Sequence, residues 1–350
     1  MRACRTYQGH SETSAPARRR SYGRHHDPEA YGAPNPWCHV ALRCVHDAAE
    51  WKAALISAGH GTREVDMMLV KTLRRHIWLQ TRHAIDQSLA GRLWPGVLSC
   101  CPTPETWVFE IHGEPSEGEW TSHRVRQGVL KQNVLVVAAQ FARAGYKVAV
   151  LNMASARFPG GSVQQGAGAQ EEDLHRRTDL CRFTLLQSTG RYPIPVLGCL
   201  VSEGVTILRG PEEEGYPWLR RNAMQKVCVI SCAALCRPPL QASCEDYACE
   251  DSRQIMKVKA TAVTQAAVSA KCHVVVLSAF GCGAYRNPPH SVAALFHEAL
   301  KSSGIMMAVF CILEDHNAFR DHNPQGNFEP FQQVFGDFQM PRDMVGVNVE

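Results

Sequence analysis

The apolar run CHVVVLSAF, residues 272–280, constrains the fold more than any other stretch of this 350-residue chain. It carries no polar alternation, so a strand built from it must have both faces covered. A sheet buried on both faces needs helices on both sides. The neighbouring pattern supplies them. Short apolar runs read as strands at KVAVLNM (147–153), PVLGCL (195–200), VTILR (205–209), KVCVIS (226–231) and GIMMAVFCIL (304–313). Helical spacing is read over 129–144, 170–187, 252–270 and 290–301, with a last helix through PFQQVF at 330–335. Gly145 follows the first of these helices, where a C′ glycine belongs. The alternation runs over 122–340, and we expect one α/β domain there.

The N-terminal part is expected to differ. In MMLVKTLRRHIWLQTRHAI (67–85), Met67, Leu69, Val70, Leu73, Ile77 and Trp78 fall near one face of a helix. Residues 37–121 are therefore expected to form a helical accessory region, with a short strand at WVFEIH (107–112). Residues 1–36, with RRRSYGRHH and few apolar side chains, are expected to be a disordered Arg-rich tail.

Composition excludes several classes. No apolar run reaches the length of a membrane span, so no membrane association is expected. A net charge of +4 suits an anionic ligand, but it does not indicate a dedicated DNA binder. The fifteen cysteines are odd in number and many lie in apolar runs, which reads as free buried thiols in a reducing compartment, cytoplasmic or nuclear. Cys228, Cys232 and Cys236 lack the paired short-spaced arms of structural zinc sites, and neither a metal nor a cofactor is expected.

Chemistry concentrates in two stretches. Residues 151–174, LNMASARFPGGSVQQGAGAQEEDL, run from a strand end through Gly160, Gly161, Gly166 and Gly168 into the adjacent Glu171 and Glu172. Glycines let backbone approach a ligand closely, and a loop feeding a helix start suits an anion. Neighbouring helical residues point about 100° apart, so the two carboxyls cannot flank one bond as a pair and must take unequal roles. GAGAQE lacks the third glycine of a dinucleotide fingerprint, so a Rossmann site is rejected. The second stretch, FGCGAYRNPP (280–289), is another glycine turn at a strand's carboxyl end, where open α/β sheets bind ligands. Tyr285 offers an aromatic face there. Cys282 has no evident histidine partner and reads as a small residue packed in the turn.

Together these stretches resemble the microbial-type poly(ADP-ribose) glycohydrolases. PGGSVQQGAGAQEEDL looks like their PGGG–loop–QEE signature, and FGCGAYRNPP looks like their WGCGVF-x-N-x-P diphosphate loop. LNMAS resembles the strand end before the signature, while VISCAALCRPP and FCILEDHNAF are weaker matches. The resemblance covers about residues 122–335.

It implies a three-layer α/β/α macrodomain-like fold with a mixed central sheet and an N-terminal helical extension. It also implies an O-glycosyl hydrolase that cuts ribose–ribose bonds of poly(ADP-ribose) and releases ADP-ribose. Glu172 would be the general acid/base, with its pKa raised by burial and by Glu171, and Glu171 would hold the departing ribose. Gly160, Gly161, Ser162 and Val163 would wrap ribose and diphosphate, with Asn152 and Gln170 among the substrate contacts. Gly281, Cys282, Gly283, Ala284 and Tyr285 would cradle the diphosphate from the other side. Ser162 stands where the family has its third loop glycine. The expected partners are poly(ADP-ribose), ADP-ribosylated proteins and ADP-ribose itself, bound by a monomer. A non-catalytic ADP-ribose reader and a mono-ADP-ribosyl-protein hydrolase are the competing readings.

Overall fold

The computed structural model describes residues 48–57, 67–93, 98, 105–111, 125–185, 191–341 and 344. The tail expected at 1–36 lies outside the described residues. The described residues form one compact unit.

A seven-stranded sheet carries the molecule, in the order β1-β4-β5-β3-β6-β7-β2. Its strands are β1 (Thr106–Glu110), β2 (Arg126–Leu130), β3 (Val148–Met153), β4 (Gly198–Thr206), β5 (Lys226–Cys232), β6 (Val274–Leu277) and β7 (Met307–Cys311). Only β4 runs against the rest: it pairs antiparallel with both β1 and β5, while β5, β3, β6, β7 and β2 pair in parallel. The central strands β3 and β6 are buried along almost their whole length, as their unbroken apolar runs require. β1 lies on the N-terminal side of the expected boundary at 121/122, yet it is an edge strand of this same sheet.

Helices cover both faces. On one side α6 (Glu250–Ser269), α7 (Pro289–Lys301) and α8 (Phe328–Phe335) pack onto Ala149, Leu151, Ile230 and Val275. On the other, α3 (Val134–Arg143), α4 (Gln170–Arg177) and α5 (Cys181–Thr184) cover Val148, Val150, Val229, Val274 and Val276. Each large side chain fully withdrawn from water in these layers, such as Phe141 or Phe296, contributes about 1.5–3 kcal/mol. The expected three-layer α/β/α architecture with a mixed sheet is the one found. Among the described residues no helix is long and apolar enough to cross a membrane.

Three local expectations need correction. The helix expected from residue 129 starts later: Arg126–Leu130 is strand β2, and Asn133 caps α3 by accepting the Leu135 N–H at 3.0 Å. The helix expected over 170–187 is broken, because Thr178 is extended (φ −135°, ψ 173°) and joins Ile207 in a β-bridge. The end of the PVLGCL run and the start of VTILR belong to one strand, β4, whose register shifts between Ser202 and Val205. Seven of the described cysteines, Cys181, Cys199, Cys228, Cys232, Cys272, Cys282 and Cys311, are free and buried.

The N-terminal region contributes α1 (Ala48–Ser57) and α2 (Met67–Leu89). The buried face of α2 holds Val70, Ile77, Trp78, Thr81, Ala84 and Ile85, whereas Met67 and Leu69 are exposed. The apolar face therefore begins at Val70 and continues past Trp78.

Candidate functional site

The site sits at the carboxyl ends of the adjacent strands β3 and β6, from which the two glycine loops leave. The first loop, residues 154–169, delivers the chain to α4, whose first turn carries Glu171 and Glu172. Gln170 fixes that helix start. Its amide oxygen accepts the Met153 N–H at 2.8 Å, and its amide nitrogen donates to the Leu151 carbonyl at 2.7 Å. Both ends of the Gln170 amide are thus taken by β3 backbone.

Both glutamates turn under the loop and are almost fully buried. Glu171 accepts the N–H groups of Ser155 (2.7 Å) and Gly160 (3.1 Å). Glu172 accepts the Ser162 N–H through Oε1 at 2.8 Å, while its Oε2 is buried without a partner. The loop folds this tightly because Gly160 and Gly161 take φ +75° and +55°. A Cβ at Gly161 would collide with the Glu172 carboxylate. Ser162, with φ −108°, lies outside the region that demands glycine, which explains how serine stands at this point of the loop.

The Glu171 carboxyl has its pKa pushed up. Burial, joined by the charge of Glu172, raises it to about 8 against the opposing pull of its two backbone donors. The α4 macrodipole also favours the ionised form, but by only about 0.3–1 kcal/mol, which is too little to reverse the burial effect.

Sequence reasoning expected the first loop's backbone to face the ligand. Instead its N–H groups are spent inside: Gly160 on Glu171, Gly161 on the Phe158 carbonyl, Ser162 on Glu172 and Val163 on the Gly160 carbonyl. The Val163 side chain is buried against Trp78 and Leu208. Gly166 and Gly168 serve a different neighbour altogether. A Cβ at Gly166 would strike the Lys71 backbone, and one at Gly168 the Arg74 guanidinium, so these glycines admit α2.

The second loop, residues 278–288, is built the other way round. Asn287 is fully buried and holds it: Nδ2 donates to the Leu235 (2.7 Å) and Gly281 (3.1 Å) carbonyls, and Oδ1 accepts the Tyr247 hydroxyl (3.1 Å). His322 Nε2 donates to the Cys282 carbonyl at 2.8 Å. The Cys282 N–H closes the turn on Ala279, and its thiol is buried, with its pKa raised by that burial. It is the packed residue that the sequence indicated. Gly281 takes φ +75°, and a Cβ there would strike Ala234 and Asn287. The N–H groups of Gly281, Gly283, Ala284 and Tyr285 have no acceptor among the described residues. Successive unpaired backbone donors form an anion-binding concavity.

Tyr285 joins the two loops. It is half-buried, its hydroxyl meets the Ser155 side chain, and it lies in the field of both Glu171 and Glu172. Asn152, fully buried at the end of β3, donates to the Ser231 hydroxyl at 3.0 Å and faces Glu171.

Sequence reasoning missed His175. This fully buried ring lies beneath Gly160, with Nδ1 donating to the Glu171 carbonyl at 2.8 Å and Nε2 beside the Thr184 hydroxyl at 3.0 Å. Burial lowers its pKa to about 4, so the ring is neutral at physiological pH. Its position four residues after Glu171 was the one available signal. Arg176 was missed too. It donates to the Ala167 carbonyl (2.6 Å) and to the Tyr216 hydroxyl (2.9 Å), which passes the contact to Glu212 (2.6 Å) and on to Arg74 of α2 (2.9 Å).

Comparison with known proteins bears out the resemblance read from the sequence. A family model described as the catalytic domain of microbial-type PARG matches residues 101–194. The fold is similar to that of poly(ADP-ribose) glycohydrolase from Thermomonospora curvata, at 23% identity and a TM-score of 0.54, over 75% of this chain and 99% of that one. It is also similar to the Deinococcus radiodurans poly(ADP-ribose) glycohydrolase in complex with ADP-ribose, at 26% identity and a TM-score of 0.52, over 69% of this chain and 97% of that one. No curated protein matches.

Proposed function

We propose that this chain is a poly(ADP-ribose) glycohydrolase of the microbial type, which hydrolyses ribose–ribose O-glycosidic bonds and releases ADP-ribose. One observation carries the reading: two adjacent glutamates are buried beneath a glycine loop, and Glu172 keeps one carboxyl oxygen unpartnered while its other is fixed by the Ser162 N–H. A reader needs a cleft, but it has no use for a buried carboxyl with a free oxygen.

The two loops divide the work. The second loop's unpaired N–H groups at Gly281, Gly283, Ala284 and Tyr285 hold the diphosphate, and the first loop fixes the carboxyls. Glu171, pinned by Ser155 and Gly160, receives the hydroxyls of the departing ribose. With its pKa raised to about 8, Glu171 holds a proton at neutral pH. That proton passes to Glu172 before the glycosidic bond breaks, leaving Glu171 ionised to accept the ribose hydroxyls. Glu172 Oε2 delivers a proton to the leaving ribose oxygen as the anomeric carbon takes on oxocarbenium character, stabilised by the nearby diphosphate. Water then adds to that carbon and gives its proton back to Glu172. Gln170 positions the helix start, and its amide is not available for a substrate contact.

Glu172→Gln keeps the shape and removes the proton transfer. We expect ADP-ribose binding within a fewfold of wild type and turnover of poly(ADP-ribose) reduced by roughly 10²–10⁴. Calorimetry with ADP-ribose and a polymer-digestion assay measure the two quantities. Full turnover by this variant would remove Glu172 from the mechanism, and binding without turnover by the wild-type protein would favour a reader.

A further inference from the structure

Glu171 stores the proton that the reaction uses, and two backbone donors, Ser155 and Gly160, set how firmly it is held. Ser155 lies close to the end of β3, next to Ala154, whose N–H is tied to the Cys232 carbonyl of β5 at 2.9 Å. Gly160 has no such strand beside it. It stands in the middle of the loop at φ +75°, and what lies under it comes from α4.

His175 follows Glu171 by one turn of α4 and is fully buried. A Cβ at Gly160 would lie 3.3 Å from both Cδ2 and Nε2 of its ring, so the imidazole closes the space beneath that glycine. The ring is itself fixed at three points. A carbonyl only accepts, so Nδ1 carries the proton and donates it to the Glu171 carbonyl at 2.8 Å. Nε2 is then bare and accepts from the Thr184 hydroxyl at 3.0 Å. Trp78 of α2 meets the imidazole edge-on, with 6.3 Å between ring centres. Burial, aided by the Arg176 guanidinium, lowers the His175 pKa to about 4, so the ring is neutral. With both nitrogens taken, it is neither an acid nor a base for the reaction.

We propose that His175 is a positioning residue for the glycosidic cleavage: its ring is the floor that keeps the Gly160 N–H on Glu171 Oε1. This rests on the glycohydrolase reading and adds to it a residue that touches no substrate. The Gly160 N–H stabilises the ionised carboxyl and so opposes the burial that raises its pKa. Without the floor the loop settles into the vacated space, the donor leaves Oε1, and Glu171 binds its proton more tightly. Three other titratable groups face Glu171. Glu172 stands on the same helix, Tyr285 comes from the second loop, and Tyr192 comes from the segment before β4. Burial raises the pKa of both phenols, so neither ionises in the range where Glu171 titrates.

The test is His175→Ala, read by the pH dependence of kcat/KM for poly(ADP-ribose). That profile reports groups of the free enzyme, and its alkaline limb in wild type falls at the Glu171 pKa of about 8. Loss of one donor to a carboxylate should move the limb up by about one pH unit. It should also lower kcat at pH 7 about tenfold, because a proton held more tightly passes to Glu172 less readily. The Kd for ADP-ribose, by calorimetry, should stay within about threefold, since the second loop is untouched. A merely structural loss would lower the whole profile without shifting it. His175→Phe puts a flat ring back under Gly160 and strands no partner: the Glu171 carbonyl keeps its helical donor, and the Thr184 hydroxyl turns to the Leu180 carbonyl at 3.2 Å. That variant should return limb and kcat to near wild type. An unshifted limb in His175→Ala, or an equal shift in His175→Phe, overturns the inference and leaves the glycohydrolase reading intact. If His175→Ala does not fold, Thr184→Val carries the test. It keeps the side-chain shape but releases Nε2, so its limb should also move up, and a limb at the wild-type position overturns the inference. A wild-type protein that does not cut the polymer ends the glycohydrolase reading and this inference with it.

Discussion

At the scale of single residues, the two glutamates differ by what the loop gives each of them. Glu171 has both oxygens occupied by backbone donors, and Glu172 has one. The raised pKa of Glu171 has a consequence for stability. Between its ordinary value of 4.5 and about 8, the folded chain keeps a proton on Glu171 that the unfolded chain has lost. The folded state then binds more protons, so this group's contribution to stability falls as pH rises through that window and is level outside it. Thermal melts of wild-type protein between pH 6.5 and pH 8, above the range where the buried His175 adds an opposite slope, should show Tm declining with pH. The decline should be shallower in Glu171→Gln, whatever its baseline, because that side chain does not titrate. Equal slopes in the two proteins would remove Glu171 as the source.

At the scale of elements, the unexpected partner is α2. Its Thr81 hydroxyl donates to the Arg176 carbonyl at 2.7 Å and accepts from Arg209 Nε at 2.9 Å. Trp78 meets the edge of His175, the ring beneath Gly160. The far half of the glycine loop is held between α2 and α4, and that is why Gly166 must be glycine: at φ +74° it abuts the Lys71 backbone. Gly166→Ala should destabilise the chain by about 2–4 kcal/mol, combining a left-handed backbone penalty with overpacking against an immobile neighbour. It should also lower polymer turnover, because the displaced loop carries the donors that fix both glutamates. Urea midpoints and the digestion assay check these together; a silent substitution would mean that α2 does not brace the loop.

At the scale of the whole molecule, the N-terminal region is part of the catalytic body. Arg209 is fully buried, lies 3.4 Å above the Trp218 ring, and donates to Gln80 and Thr81 of α2 and to the Tyr216 carbonyl. A chain beginning at Glu105 would keep every strand of the sheet but leave that guanidinium short of two acceptors and uncover Val163, Cys181 and Leu208. Breaking up a buried charged network in this way costs several kcal/mol. We expect the shortened chain to lose cooperative thermal unfolding and ADP-ribose binding, as read by circular dichroism and calorimetry. Retention of both would return α2 to the status of an appendage.

The sequence alone determined the layers of the fold and the position of the site. Unbroken apolar strands such as VVVL can exist only inside a covered sheet, and two glycine loops at strand ends next to paired glutamates limit the chemistry to a few kinds. Those signals are local, carried by residues close together in the chain. The tertiary structure decided everything that depends on distant partners. Gly166 and Gly168 read as ligand-facing until α2, about ninety residues earlier, was found packed on them. The first loop's N–H groups read as anion donors until their acceptors proved to be the glutamates. His175 and Arg176 carry no motif, and only packing places a neutral imidazole beneath Gly160 and a guanidinium on the Ala167 carbonyl. Periodicity fixes which face of an element is buried, but which side chain lies opposite is set by how the layers come together.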